Sequence, residues 1–268
     1  MTITAGDGTD VRVHDEGSGP VVVLLHPGLD DGSRDHELAA ILARRFRVLR
    51  LHRRQYRLDL DTLPCSVADE VDDVVAVVRS VGGPVVLYGH SDGGVVALEA
   101  LAAAPRAFSG AVVFEAPVAI GPPLGGEVVA EAKAALAAGR PGRAMALFFR
   151  RTVGLAPWQA TLAGAAVAAV PKYRRLVPGQ INSLAALDDL GVRLDTYARV
   201  TVPTVLLGGD RSPAHLAERL DALAAAMPTA ERVVMPGRDH GADLKHPAEV
   251  AAVVEALADR VLRARDDR

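Results

Sequence analysis

The sequence predicts an α/β protein: a mostly parallel sheet covered by helices on both faces, with one all-helical insertion. Three observations carry this. Short apolar runs alternate with segments of helical periodicity through most of the chain, as strands buried on both faces require. The alternation lapses between residues 118 and 198, where only helical patterns occur, and then resumes. One apolar run, residues 85–88, ends abruptly in Gly89-His90-Ser91-Asp92-Gly93, a serine boxed by glycines between a strand and a helix.

The first twenty residues read as a hairpin, Thr2-Ile3-Thr4 and Val11-Arg12-Val13 around a turn at Gly6-Asp7-Gly8. Residues 21–25 form a continuous apolar strand ending at His26-Pro27-Gly28, residues 37–45 a helix, and 46–51 a strand. Ser66-Val67-Ala68-Asp69 is a capping start for a helix reaching about residue 79. The strand at 85–88, a helix from Val95 and a strand at 111–114 follow. The insertion offers helices at 127–138, 142–151, 157–170 and 181–190. Strands at 202–207 and 232–235, a helix at 214–227 and a last helix from Pro247 complete the pattern. Residues 1–117 and 199–268 are therefore expected to form one core domain, and residues 118–198 a cap over the sheet's carboxyl edge, where ligands bind in open α/β folds.

Composition fits this picture. The chain's 268 residues suffice for a large core, and 50% of them are apolar. A formal net charge of −3 argues against nucleic acid as the main partner. The single cysteine, Cys65, excludes an intrachain disulfide and fits a reducing cytoplasm. The polar start shows no secretory signal, and the most apolar stretch, residues 162–170, is too short to span a bilayer, so no membrane partner is expected. No metal-ligand spacing, dinucleotide fingerprint or phosphate loop occurs, so no cofactor is expected. The oligomeric state is left open, a homodimer included.

A serine on a sharp strand-to-helix turn, at the positive end of a helix, is a place for a nucleophile. It needs a base, and histidine suits because it titrates near neutrality. Of eight histidines, His240 lies in a loop of turn residues after the last strand, whereas His246 adjoins Pro247 at a helix start. In this order the chain resembles the α/β-hydrolase superfamily: the His26-Pro27-Gly28 turn, the Gly89–Gly93 elbow, the helical insertion, and His240 followed by Pro247. The resemblance implies an eight-stranded, mostly parallel sheet with a helical cap. It also implies Ser91 as nucleophile, His240 as base, and an oxyanion hole from the backbone of Asp92 and of the Gly28-Leu29 turn.

For the third member the common superfamily position points to Asp210, but Asp210 stands only eight residues beyond Val202, and Ser212 takes the expected place. Glu115, ending the strand at 111–114, is a carboxylate whose burial is costly without a partner such as an imidazole. The fungal lactonases that open the macrolide zearalenone have a similar layout, with the acid after that strand and a Gly-Leu oxyanion turn. Glu115 is therefore favoured, with Asp210 as the alternative. Arg50, Arg53, Arg54 and Arg57 read as a solvated charged loop, Asp30 and Asp31 as turn caps or pocket residues. Trp158 and Tyr173 are candidates for the apolar wall of the substrate site. The function expected is a cofactor-independent serine hydrolase for a hydrophobic ester or lactone. Thioesterase, C–C hydrolase or natural-product tailoring chemistry on the same residues, or a catalytically silent ligand-binding module, are the alternatives.

Overall fold

Eight strands form one sheet in the computed structural model, which describes residues 1–266. β1 (Thr2–Thr4) and β2 (Asp10–Gly17) form the antiparallel edge, and β2 continues antiparallel onto β4 (Arg47–Leu51). From there the sheet is parallel through β3 (Val21–Leu25), β5 (Val85–His90), β6 (Phe108–Phe114), β7 (Thr204–Gly209) and β8 (Ala230–Met235). The spatial order β1-β2-β4-β3-β5-β6-β7-β8 reverses its direction of winding between β3 and β5. Open α/β sheets bind their ligands at such a reversal.

Side-chain alternation divides the core between the two faces. Val23, Leu25, Leu87, Val113 and Leu206 pack beneath α2 (Val67–Val81) and α3 (Asp92–Ala103). Val22, Leu24, Val86, Val112 and Phe114 face α1 (His36–Leu42) and the C-terminal helix Pro247–Asp266. The start of α2 is fixed by a capping box: Ser66 Oγ accepts from the Asp69 N–H at 3.2 Å, and Asp69 Oδ2 accepts from the Ser66 N–H at 2.8 Å. Such caps contribute about 1 kcal/mol.

Between β6 and β7 come α4 (Glu127–Ala137), α5 (Pro141–Arg151), α6 (Pro157–Ala169), α7 (Pro171–Leu190) and the short α8 (Leu194–Tyr197). α5 and α6 pack backbone to backbone: a Cβ on Gly164 would stand 2.3 Å from the Gly142 carbonyl oxygen. α7 begins well before the expected residue 181 and runs through Pro178. Its tight seat on the 3₁₀ turn Arg54–Tyr56, with room at Gly179 for no side chain against the Gln55 carbonyl, offsets the hydrogen bond that proline cannot make. After β7 come α9 (Ala214–Ala226), α10 (Ala242–Lys245) and α11 (Pro247–Asp266). Among the described residues no helix is long and apolar enough to cross a membrane.

The arginine run corrects a sequence expectation. Arg53, Arg54 and Arg57 are buried rather than solvated. Arg54 pairs with Asp73 of α2 and with Asp7, and Arg57 donates to Asp59 at 2.7 and 2.8 Å and to the Asp10 carbonyl at 2.7 Å. Each guanidinium finds carboxylates or carbonyls that are remote in sequence or, for Asp59, poised by the turn itself.

Candidate active site

The strand register brings four loops to one edge of the sheet. Leu25 pairs with Gly89, His90 with Phe114, Phe114 with Leu207, and Gly209 with Met235. The residues that follow these positions are the His26–Leu29 turn, Ser91, Glu115 and the loop carrying His240.

Ser91 occupies φ 54°, ψ −127°, a strained region for any residue with a side chain. Among the described residues only Leu29 (φ 52°), Ser91 and Glu115 (φ 46°) are non-glycine residues with positive φ. All three lie at this one edge. The Ser91 N–H holds the turn by donating to the Phe114 carbonyl at 2.9 Å. The boxing glycines are obligatory, because a Cβ on Gly89 would meet the Gly93 carbonyl oxygen at 2.6 Å and one on Gly93 the His26 carbonyl oxygen at 2.4 Å. Ser91 stands at the N-cap of α3 without using its hydroxyl as a cap. The hydroxyl is left for other chemistry.

Beside it, the N–H groups of Leu29 and Asp92 have no acceptor among the described residues, and both residues line the same cavity as Ser91. The Leu29 turn is anchored by His26, whose Nδ1–H donates to the Pro27 carbonyl at 2.8 Å while Nε2 accepts from the Arg53 N–H at 3.1 Å. Burial lowers the His26 pKa to about 4, so the ring is neutral near pH 7. The Asp92 side chain is held from below. Its carboxylate accepts from Arg53 Nη1 at 2.8 Å, the Tyr56 hydroxyl at 2.8 Å and the Ser183 hydroxyl at 2.6 Å. Burial pushes this carboxyl up, and the Arg53 charge with the two hydroxyl donors outweighs it, holding Asp92 ionised below the usual range.

His240 Nδ1–H donates to Glu115 Oε2 at 2.6 Å, and the Gly209 N–H donates to Glu115 Oε1 at 2.7 Å. Glu115 is 1% exposed. Burial raises its pKa, but the bond and charge of His240 prevail and hold the carboxylate below its ordinary value. Asp210 is exposed and accepts instead from the Gly237 N–H at 2.6 Å, closing a turn. His246, between the two last helices, faces Glu249 of the C-terminal helix, 3.9 Å away. Asp30 caps its local turn through the Gly32 and Arg34 N–H groups, and Asp31 pairs with Lys172 at 3.0 Å.

A second layer was not visible in the sequence. His90 stacks on Phe114 with ring centroids 4.5 Å apart and lies 4.6 Å from the His240 ring. Its Nδ1 is 3.2 Å from Asp243 Oδ2, and Arg34 grips Asp243 with two bonds of 2.6 and 2.7 Å. Arg34, Gln180 and Ser183 carry no motif, because their partners lie 209, 124 and 91 residues away along the chain.

The cavity over Ser91 has a volume of about 250 Å³. Leu124, Phe148, Phe149, Val153, Leu184 and Leu187 of the insertion form its apolar wall, with Leu216 of α9. Trp158 and Tyr173, expected in that wall, are 68% and 42% exposed and do not line it. Both sit on the outer layer of the insertion, and α5, beneath α6, supplies the aromatic pair Phe148 and Phe149 instead. No cluster of three metal-ligating side chains occurs among the described residues.

Residues 22–253 match the model of the Alpha/beta hydrolase family. No curated protein matches the sequence. Among solved structures, the chain is similar to an alpha/beta hydrolase from Sphaerobacter thermophilus, with 28% identity, a TM-score of 0.82, and coverage of 96% of this chain and 99% of that one. A thermophilic esterase from Thermogutta terrifontis superposes with a TM-score of 0.75 at 20% identity over 97% and 98% of the two chains. Est816, described as an N-acyl homoserine lactone degrading enzyme, gives 0.72 at 22% identity over 96% and 99%.

Proposed function

The chain belongs to the alpha/beta hydrolase family, and from that premise we propose that it is a serine hydrolase cleaving a carboxylic ester or lactone of a largely apolar small molecule. One observation carries this: His240, bonded through Nδ1 to a buried glutamate, shares a cavity with the strained Ser91. With Nδ1 committed to Glu115, Nε2 is the nitrogen left to take the proton as Ser91 Oγ attacks the substrate carbonyl. Glu115 fixes that tautomer and balances the imidazolium. The N–H groups of Leu29 and Asp92 receive the oxyanion, a contribution of roughly 3–4 kcal/mol per donor in comparable sites. Collapse of the tetrahedral intermediate breaks the bond to the leaving oxygen, which takes the proton from His240. Water, deprotonated by the same histidine, then attacks the acyl-enzyme and releases the acid and Ser91. A lactone follows the same path, its alcohol remaining tethered to the acid.

The apolar wall from residues 118–198 supports a cap role for the insertion and a substrate with a hydrophobic body. The solved ester- and lactone-degrading relatives agree with that class while sharing the fold alone. A panel of p-nitrophenyl esters and alkyl lactones, with a fluorophosphonate probe, tests the proposal. Ser91→Ala should stay folded, lose labelling and lose turnover by on the order of 10⁴-fold or more. Near-parental turnover in that variant would remove Ser91 from the chemistry.

A further inference from the structure

The outer surface of the insertion is unlike the rest of the molecule. Residues 118–198 hold nine Lys and Arg against five Asp and Glu, so a chain of net charge −3 divides into +4 here and −7 elsewhere. The asymmetry sharpens locally: residues 133–175 carry eight Lys and Arg and no acidic residue at all. Arg151 pairs with Glu131 and Lys172 with Asp31, but Lys133, Arg140, Arg143, Arg150, Arg174 and Arg175 are exposed and form no ion pair among the described residues. Within this stretch, residues 152–171 contain no charge of either sign. They include α6, whose outward side presents Trp158 and Leu162, 68% and 65% exposed, followed by exposed Ala165 and Ala169 at helical spacing; exposed Val170 and, at the start of α7, Tyr173 extend the apolar surface beyond the helix end.

Cations stand at both ends of that apolar stripe. Arg150 precedes α6, while Arg174 and Arg175 follow it; Arg140 and Arg143 join the latter end because Gly142 packs against Gly164 and Ala168. α6 itself carries no charge, but an exposed apolar patch with a tryptophan, ringed by basic side chains of the neighbouring helices, combines the two terms that bind a protein to an anionic membrane surface: buried apolar area and electrostatic attraction. We propose that this face, centred on Trp158 and Leu162, docks the protein on an anionic lipid bilayer surface.

Two other occupants fit less well. A second copy meeting α6 against α6 would set basic end against basic end in either relative direction, and like charges brought together oppose association. A nucleic acid would satisfy the arginines but leave the Trp158-Leu162 stripe without an apolar partner. Docking on a bilayer departs from the sequence expectation of no membrane partner, whose ground was the lack of a segment long enough to span a bilayer; a surface-lying helix needs no such segment. A lipid surface would also place the apolar insertion, whose α5 lines the cavity through Phe148 and Phe149, next to a source of hydrophobic molecules.

Trp158 is the chain's one tryptophan, so its fluorescence reports on this face alone. The full chain is titrated with vesicles of phosphatidylcholine and of phosphatidylcholine mixed with phosphatidylglycerol, and binding is followed by emission and by flotation. Anionic vesicles should shift Trp158 emission to the blue and carry the protein; neutral vesicles should do neither, and added salt should weaken the effect. The triple variant Arg140→Gln, Arg174→Gln, Arg175→Gln should bind on the order of 100-fold more weakly, at about fivefold per cation. Leu162→Gln should bind more weakly with unchanged circular dichroism, its side chain being exposed. No blue shift, equal binding to neutral vesicles, a blue shift that grows with protein concentration alone, or tighter capture by duplex DNA would each overturn the proposal. Ser91→Ala should bind vesicles as the parent does, which separates this result from the fate of the hydrolase reading.

Discussion

Glu115 combines features that a folded chain does not keep without a return: it is buried, its backbone sits at φ 46°, and its carboxylate stays ionised against the cost of burial. The compensation comes from His240 and the Gly209 N–H, 125 and 94 residues away in sequence. Asp210 has a backbone N–H from Gly237 and open solvent. The two carboxylates should therefore respond differently to loss of charge. On any ester the protein cleaves, Glu115→Gln should lower kcat by roughly 10³–10⁴, because the amide neither balances the imidazolium nor fixes its tautomer. Asp210→Asn should stay within a few-fold of the parent, as expected for a solvated turn residue. Steady-state kinetics of both variants check this, and the opposite ranking would return the acid to the strand-β7 loop.

At the scale of elements, what was legible in the sequence followed hydrophobic period and turn chemistry. β3 matched its apolar run and α2 its Ser66–Asp69 cap, since each depends on neighbours within a few residues; the elbow was legible from the spacing of its glycines, although the close approach that requires Gly93 is to the remote His26 carbonyl. The early start of α7 and the burial of Arg53 were not legible, because each rests on contacts between remote segments that override local signals. The same holds at the start of α1. Asp35 occupies its N-cap without making a cap bond, and its buried Oδ1 has no hydrogen-bond partner among the described residues. Burial, with the charges of Asp243 and Asp30, raises its pKa to about 8. The folded state thus keeps a proton up to about pH 8 that the unfolded chain releases near pH 4. Between those limits the folded state binds more protons, so this group's contribution to stability falls as pH rises through the window. Asp35→Asn removes the titration. Thermal unfolding should show the variant gaining on the parent from about pH 5 to about pH 8, and a gain independent of pH would mean the carboxyl is not held protonated.

Across the whole molecule, one ion network ties the insertion to the core beneath the cavity. Arg53, in the turn after β4, bonds Glu70 of α2 at 2.8 and 3.1 Å and Asp92 of α3 at 2.8 Å, and Asp92 in turn accepts from Ser183 of α7. Arg53, Glu70 and Asp92 are all buried. The backbone N–H proposed to receive the oxyanion belongs to Asp92, so the network that fixes its side chain also steadies that donor. The Coulomb attraction in such a buried group largely repays desolvation, and the net gain is small; removing one partner is a different matter, because it strands the others. Arg53→Met should cost about 3–5 kcal/mol in denaturant unfolding, since two carboxylates would remain buried without their cation. Adding Glu70→Gln to Arg53→Met should recover part of that loss, one stranded charge having been neutralised, while Asp92 keeps its bonds from Tyr56 and Ser183. If Arg53→Met unfolds within about 1 kcal/mol of the parent, solvent must reach the carboxylates once the guanidinium is gone. In that case the insertion is held to the core chiefly by contacts outside the network, among them the seat of α7 on the Arg54–Tyr56 turn and the pair of Arg193 with Glu99 of α3.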